Sequence, residues 1–303
     1  MGARTPGDYP RTLAEFYRRF PDDDACLRYL VETRWPQGFR CLACGSDNAV
    51  WMKTRRVWQC RACRHQTSPT AGTIMARSHL PLSAWFTAAY LMTSFKPGVS
   101  ALQLQRQLGL ASFKSAWVLL HKLRRAMVNP QRLRLQIVPN ASRETLTAFI
   151  TANVASGSTI VNDAWSGYEA LPPETYVHLS FSQAAMKRAV VEPDAVPGVH
   201  RVISNLKTWL RGTHHGVGAD HLEHYLQEFV FRFNRRSYPM AGFATLLGLG
   251  AARSPTTVAD ILGPVAEGAK RRRGRATRLT SARFSVTVVR SASLEEALAD
   301  LGA

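Results

Sequence analysis

Four of the five cysteines in this chain of 303 residues stand in two close pairs, and their spacing is the strongest constraint on its fold. The pairs are Cys41/Cys44 and Cys60/Cys63, with 15 residues between them. Each Cys-x-x-Cys pair forms a tight turn whose two thiolates reach one ion, and this spacing is typical of a tetrahedral zinc site. The alternatives are a redox dithiol pair or buried cysteines without a metal. We predict a structural Zn²⁺, since four thiolates leave no coordination position open for catalysis.

The residues around these cysteines form a small, metal-dependent segment. From 38 to 75 the sequence indicates short strands with too few apolar residues to fold without the ion. The fifth cysteine, Cys26, lies in a predicted helix from 21 to 35 and is interpreted as a core residue. The odd number of cysteines and their pairing favour a reducing cytosol over a disulfide framework.

The charge of the chain points to a polyanionic partner. The formal net charge is +18 and the isoelectric point is about 10.5. Nucleic acid is the favoured partner, because bound phosphates release their counterions. The alternatives are an ordinary basic protein or one that binds acidic lipid. No apolar run approaches the roughly 20 residues of a membrane span, and no secretory signal is recognisable, so we expect a cytoplasmic protein.

Three helices are predicted after the cysteine segment, at 81–95, 100–108 and 112–127. Gly109 lies in the short connection between the last two, which is the pattern of a helix-turn-helix domain. The third helix would then enter a major groove of DNA. Its polar side chains are the candidate contacts to bases and phosphates: Lys114, Ser115, His121, Lys122, Arg124 and Arg125. The alternative is a three-helix bundle that only packs against the rest of the protein.

The period of the sequence changes after residue 130. Residues 132–138 alternate apolar and polar side chains, which indicates a strand. Ser142 then caps a predicted helix, and a short strand at 159–161 leads directly into Asp163. Strand, helix and strand form a βαβ unit, and such folds place their chemistry at the carboxyl ends of the strands.

Several longer motifs resemble those of the IS1595 (ISXO2-like) insertion-sequence transposases. After the cysteine segment and the helix-turn-helix they run in the same order, and they comprise Asp163-Ala-Trp-Ser-Gly-Tyr168, Ser204-Asn-Leu-Lys207, Gly212-Thr-His-His-Gly-Val217 and the helical segment from His221 to Arg236. The resemblance covers about residues 10–260. It implies an RNase H-like domain that uses Mg²⁺ or Mn²⁺ to cut and join double-stranded DNA at terminal inverted repeats. It also implies a homo-oligomer associated with the bacterial nucleoid.

The resemblance also implies roles for individual residues. Asp163 corresponds to the second acidic residue of the catalytic triad and Asn205 to the third ligand position. Lys207 corresponds to the basic residue near the scissile phosphate, and His215 (or His214) to the accompanying histidine. Two divalent ions about 3.5–4 Å apart, held by oxygen ligands, suit this phosphoryl-transfer chemistry.

The chain departs from the family pattern before the first of these motifs. The family has an Asp-containing strand between the helix-turn-helix and the segment corresponding to 132–138, but here residues 125–130 run directly into it. No acidic residue occurs between Asp47 and Glu144. We therefore expect an internally deleted transposase whose first catalytic aspartate is absent, although Glu169, Asp194 or Glu228 remain as substitutes that no motif supports.

The predicted architecture is a multi-domain α+β chain. An N-terminal helical segment (1–37) precedes a zinc ribbon (38–75), a helix-turn-helix domain (76–130), a partial RNase H-like domain (131–262) and a basic tail (263–303). The leading function is DNA transposition with impaired catalysis. The alternatives are a non-catalytic DNA-binding remnant that represses the element, and a zinc-ribbon transcription or RNA-binding factor.

Overall fold

The protein is described here by a computed structural model that covers residues 9–128, 138, 140–162, 164–180 and 197–262, with the backbone alone at 197–200, 219, 239 and 240. The described chain forms two compact units. Unit 1 contains residues 9–128 and 227–262, and unit 2 contains the described residues from 138 to 226. The predicted strand at 132–138 lies outside the described residues except for Val138, as does the predicted tail from 263.

Unit 1 begins with two short helices, α1 (Leu13–Arg19) and α2 (Asp23–Arg34). The Thr12 hydroxyl caps α1 by accepting from the Glu15 N–H at 3.1 Å, and Asp22 caps α2 by accepting from the Ala25 N–H at 2.7 Å. Such caps satisfy N–H groups that a helix cannot pair internally. The helix predicted at 21–35 is therefore confirmed, and Cys26 is fully buried in it.

The cysteine segment folds as three antiparallel strands, β1 (Ala49–Met52), β2 (Val57–Cys60) and β3 (Gln66–Thr67). Trp51 lies opposite Trp58 in the register of β1 and β2, and the Trp58 ring stacks on Phe39 with centroids 5.1 Å apart. The small core here consists of Phe39, Cys41 and Cys60. Two of its three buried members are thus cysteines, which agrees with a segment that depends on a bound ion.

Three helices follow, as predicted: α3 (Leu82–Ser94), α4 (Ala101–Leu108) and α5 (Phe113–Ala126). Ser100 caps α4 and Ser112 caps α5, each by accepting a backbone N–H at 3.2 Å. Gly109 ends α4 in the left-handed conformation with φ 60°, which lets the chain reverse within four residues. α4 and α5 pack against each other.

The core of unit 1 is completed by a helix that the sequence analysis did not predict, α9 (Pro239–Ala252). Its side chains Phe243, Leu246 and Leu247 are fully buried among the aromatic rings of α1, α2 and α3. α9 packs against α2, α3 and α5, and a short helix α10 (Val258–Leu262) packs against α5. Residues 227–262 therefore belong to unit 1, whereas the predicted scheme assigned them to the RNase H-like domain.

Unit 2 contains α6 (Arg143–Asn153), β4 (Thr159–Asn162), β5 (Val177–Ser180) and α7 (Pro197–His214). Ser142 caps α6 and β4 begins at Thr159, so both predicted elements are confirmed. β4 pairs in parallel with β5, which was not predicted, and a 3-10 turn at Ser166–Tyr168 lies in the connection. α6 covers one face of this sheet through Leu146 and Ile150. A further helix, α8 (Leu222–Phe233), passes from unit 2 into unit 1.

Candidate metal centre and nucleic-acid surface

The four paired cysteines converge on one point. Their sulfur atoms all lie within 4.8 Å of one another. The Sγ atoms of Cys41 and Cys63 are 3.6 Å apart, as are those of Cys44 and Cys60. A tetrahedral site with Zn–S bonds of about 2.3 Å requires sulfurs about 3.8 Å apart, so the geometry fits Zn²⁺. Within the described ranges this is the only group of three or more His, Cys, Asp or Glu side chains close enough to share an ion.

The backbone of each Cys-x-x-Cys turn prepares its first cysteine for metal binding. The Gly45 N–H donates to the Cys41 carbonyl at 2.9 Å, and the Arg64 N–H donates to the Cys60 carbonyl at 3.0 Å, which closes both turns. Backbone N–H groups, that of Cys63 above all, lower the pKa of Cys60 to about 6. The N–H of Ala43 likewise lowers the pKa of Cys41. A lowered pKa favours the thiolate, which is the form that binds zinc.

The fifth cysteine has the opposite environment. Burial in the helical core raises the pKa of Cys26 to about 12, with Asp23 and Asp22 adding to the effect. Cys26 is fully buried among the apolar side chains of unit 1, so its interpretation as a core residue is confirmed.

The predicted DNA-contacting residues of α5 divide into two groups. Lys114 is exposed, and Ser115 and Arg125 are half-buried. His121, Lys122 and Arg124 are buried, with exposed fractions of 0%, 8% and 1%. In this structure these three side chains are not open to a duplex, as a groove-reading surface must be. Contact of α5 with DNA through its other polar residues stays a prediction.

The burial of Arg124 has a specific partner. Its Nε donates to Oε2 of Glu228 at 2.7 Å, and Glu228 has an exposed fraction of 0%. Arg232 approaches the other oxygen, Oε1, at 3.7 Å, and its guanidinium also donates to the carbonyls of Phe95 and Lys96. Both oxygens of Glu228 thus face arginines inside unit 1. Because both oxygens face arginines, this structure gives no support to Glu228 as a substitute catalytic carboxylate.

The other two candidate replacements gain no support either. Glu169 is exposed and forms an ion pair with Arg143, at 3.3 Å. Asp194 lies outside the described residues.

The predicted catalytic residues belong to unit 2. Asp163 itself lies outside the described residues, but the strand that leads into it, β4, is described up to Asn162. At the carboxyl end of β4 the buried Asn162 side chain accepts from the Ala164 N–H at 2.8 Å and contacts Nε2 of His178 on β5. The Ser180 hydroxyl lies 3.2 Å from the same ring nitrogen. Sequence reasoning missed this polar cluster because it did not predict β5.

Asn205 and Lys207 are both exposed on α7, and His215 is exposed directly after it with φ 54°. Two positions apart on a helix, Asn205 and Lys207 do not face the same way. Beside them His214 packs edge-on against Trp209 and Tyr225, with ring centroids 4.8 Å and 4.7 Å away. Since His214 is part of this aromatic cluster, His215 is the more accessible of the two histidines.

Comparisons with known families decide the identity of the chain. The profile of the ISXO2-like transposase domain matches residues 102–234, and the profile of the transposase zinc-ribbon domain matches residues 21–66. Together they span more than half of the chain. The chain belongs to the IS1595 family of transposases. No curated protein and no solved structure matches it significantly.

The family assignment agrees with the four-cysteine cluster, which is the metal centre of the transposase zinc ribbon. The ISXO2-like profile begins inside α4 and ends with α8, so it includes α5 and its buried Arg124 as well as Glu228. None of the described helices of this IS1595-family transposase is both long and apolar enough to span a membrane.

Proposed function

We propose that this IS1595-family transposase binds the terminal inverted repeats of its element through unit 1, and that its DNA cleavage is impaired. The observation that carries the proposal is the association of the cysteine cluster and the α4–α5 pair in one compact unit. α4 and α5 are interpreted as the helix-turn-helix, with Lys114 and Ser115 at the open first turn of α5. In such domains the first turn of the second helix reaches the base edges.

The zinc ribbon supplies a second basic surface. Arg40, Arg55, Arg61 and Arg64 are all exposed on it. Guanidinium groups pair with phosphate oxygens in two-pronged geometry, so they position a protein on the duplex without reading its sequence. We interpret the ribbon as the phosphate-contacting part of the recognition unit and Lys114 and Ser115 as its base-contacting part.

For unit 2 we propose an incomplete RNase H-like domain. The parallel pair β4–β5 with α6 packed on one face supports this interpretation. In an intact site Asp163 and Asn205 would hold Mg²⁺ or Mn²⁺, Lys207 and His215 would contact the scissile phosphate, and the metal would activate the attacking oxygen. The chain offers no carboxylate at the position of the first ligand, so we derive no cleavage step through this site.

A binding and cleavage experiment tests the proposal. The zinc-loaded protein is incubated with labelled duplexes that carry the ends of the element, in Mg²⁺ and separately in Mn²⁺. We expect a retarded complex without nicking, and we expect Lys114→Gln to weaken it. Asp163→Ala is the matched control, because removal of a ligand from an already incomplete site should leave binding unchanged.

Two results would contradict parts of the proposal. Metal-dependent nicking that disappears in Asp163→Ala would show that another carboxylate completes the site. Absence of binding to every duplex would contradict the recognition function itself. Binding without nicking would also favour the second candidate function, a DNA-binding remnant that represses the element, since the recognition unit is the part that folds around its own core.

A further inference from the structure

The helix α5 is open to solvent only at its beginning. Residues 111–114 are exposed, whereas every residue from Ser115 to Ala126 is half-buried or buried. A helix reads the edges of base pairs through side chains that the rest of the protein leaves uncovered. Contact of α5 with base edges is therefore centred on this first turn.

One of the exposed residues of this turn carries a large apolar side chain. Phe113 is 50% exposed. The nearby Leu108 and Leu110 pack against the core of unit 1, but Phe113 is not among the described residues that do so. A single exposed apolar side chain is common on protein surfaces, so its position decides its significance. Phe113 directly precedes Lys114, which the proposed function places at the bases.

The surrounding structure holds the Phe113 backbone in a fixed position. The Ser112 hydroxyl accepts the Ser115 N–H at 3.2 Å, which caps the helix directly before Phe113. Ala116 and Leu119, farther along the helix, are 0% and 1% exposed. Side chains on such anchored elements are placed against a ligand more precisely than those on loops.

Two long side chains of this turn remain available to a ligand. The Ser112 hydroxyl is engaged in the cap, and Ala111 reaches little beyond the backbone. Phe113 and Lys114 follow each other at the start of the helix, and both are exposed. An aromatic ring and a cation therefore stand side by side where α5 is open.

The chemistry of the major groove determines what a phenyl ring can recognise there. Base edges present hydrogen-bond donors, hydrogen-bond acceptors and one apolar group, the C5-methyl group of thymine. A phenyl ring offers no hydrogen bond to the polar groups, and covering them without a partner costs free energy. Contact with the methyl group instead removes apolar surface of both partners from water.

We propose that Phe113 contacts the C5-methyl group of a thymine in the major groove of the bound DNA and thereby selects thymine at that position. The inference rests on the proposed function, which places the first turn of α5 at the base edges. It adds an apolar contact that reads sequence to the polar contacts of Lys114 and Ser115.

The test uses labelled duplexes of the element end in which thymines are replaced, one at a time, by deoxyuridine. This change removes a methyl group and leaves the hydrogen-bonding groups of the base pair in place. Fluorescence anisotropy with the full-length, zinc-loaded protein should show about fourfold weaker binding at the contacted thymine, because roughly one methyl group is no longer buried. Replacement of the same base by 5-bromodeoxyuridine should restore the affinity, since bromine is close to a methyl group in size.

Two variants locate the contact on the protein. Phe113→Ala should bind the thymine and deoxyuridine probes equally, because the side chain that contacts the methyl group is absent. A merely structural change in α5 would weaken both probes alike and leave the ratio of their affinities unchanged. Leu102→Ala is the matched control: it truncates another exposed apolar side chain of the α4–α5 pair, 46% exposed, and the fourfold ratio should persist.

Each other outcome overturns the inference in a distinguishable way. A wild-type ratio of one at every thymine rejects the methyl contact, while binding of the unmodified duplex still supports the proposed function. A ratio that survives in Phe113→Ala shows that another side chain contacts the methyl group. Loss of the ratio in Leu102→Ala as well rejects the assignment to Phe113. Failure to bind any of the duplexes rejects the inference and the proposed function together.

Discussion

The two units of this transposase differ in how fully their apolar surfaces are covered. In unit 1, the helices α1–α5, α8 and α9 bury a continuous cluster in which Phe86, Leu104 and Leu246 are entirely inaccessible. In unit 2, the β4–β5 sheet is covered by α6 on one face, whereas Val161, Val177 and Leu179 on the other are 40%, 54% and 44% exposed. Unit 1 has a complete core of its own. The sheet that leads into Asp163 has an apolar face that its described neighbours leave open.

This contrast supports the proposal that unit 1 binds DNA while cleavage is impaired. A unit with a closed core stays folded when a neighbouring domain is damaged, whereas an open sheet face lowers stability and promotes association.

Removal of zinc should have the largest effect and should be confined to unit 1. Structural zinc contributes about 10–16 kcal/mol to the folding of small zinc domains, so Cys60→Ser or a strong chelator should unfold the strands β1–β3. Tryptophan fluorescence should report the change, because Trp51 and Trp58 lie in this sheet. Cys26→Ser is the control: metal analysis should find one zinc per chain in it and in the wild type. A zinc content unaffected by Cys60→Ser would contradict the assigned ligands.

The buried ion pair should give the next largest effect. Arg124→Met leaves the fully buried Glu228 with Arg232 as its remaining arginine at a longer distance, and loss of one partner of a buried pair costs about 3–5 kcal/mol. The double variant Arg124→Met/Glu228→Met should recover most of this loss, because both charges are then removed. Urea unfolding followed by circular dichroism measures all three proteins. Equal stability of the single and double variants would show that the pair does not stabilise unit 1.

Two glycines of α9 provide a matched test of packing. A Cβ on Gly250 would lie 2.8 Å from Cδ1 of the buried Ile74, so Gly250→Ala should destabilise unit 1 by about 1–3 kcal/mol. A Cβ on Gly248 would meet only Cγ2 of Thr33, at 4.0 Å. Gly248→Ala should instead stabilise the helix by about 0.5–1 kcal/mol, since alanine restricts the unfolded chain more than glycine does. The same sign for both substitutions would contradict the close approach of α9 to residue 74.

The pH dependence of the stability of unit 1 should show the contribution of the Asp23 carboxylate. Partial burial acts to raise the pKa of this carboxyl, but hydrogen bonds from Ser83 and Leu82 outweigh it, so the pKa is lowered from 3.8. The carboxylate accepts the backbone N–H groups of Ser83 and Leu82, at 2.9 Å and 3.2 Å, at the start of α3. Its contribution is therefore complete above pH 3.8 and is lost as the pH falls through the lowered folded value. Asp23→Asn should cost about 1 kcal/mol at pH 7 and almost nothing at the acid end, as measured by thermal unfolding.

The smallest effect is expected on the open face of unit 2. Leu179→Thr should change the free energy of unfolding by less than about 0.5 kcal/mol, since substitutions at exposed positions rarely exceed this value. It should nevertheless reduce self-association, which light scattering measures. A large loss of stability would show that this face is covered in solution.

The features predicted correctly from sequence are those encoded locally. The cysteine spacing predicts the ribbon because four ligands within 23 residues define one site. The helices predicted at 100–108 and 112–127 are also local features, and the structure shows Ser100 and Ser112 capping them. The family resemblance on the motifs from Asp163 to Arg236 is confirmed by the matching profiles.

The features that were missed depend on distant residues. The sequence indicates a DNA contact at Arg124, because it does not show that Glu228, 104 positions away, pairs with this arginine. α9 consists almost entirely of apolar and small residues, so its sequence shows no contrast between the buried face of Phe243, Leu246 and Leu247 and the half-buried face. β5 is only four residues long, so its alternation of apolar and polar side chains is too short to stand out from the surrounding loop.

Unit 1 is built from two separate stretches of the chain, and this affects the order in which its parts fold during synthesis. α3 leaves the ribosome about 150 residues before its main packing partner α9. Translation adds about 5–20 residues per second. The aromatic rings of Phe16, Phe86 and Tyr90 are therefore synthesised roughly 10 s before Phe243, which packs against them. During that interval a nascent chain exposes an unfinished core, which is a target for chaperones and proteases. Completion of the unit 1 core thus requires translation to proceed beyond residue 252. Under the proposed function, a prematurely terminated product would not compete with the full-length protein for the ends of the element.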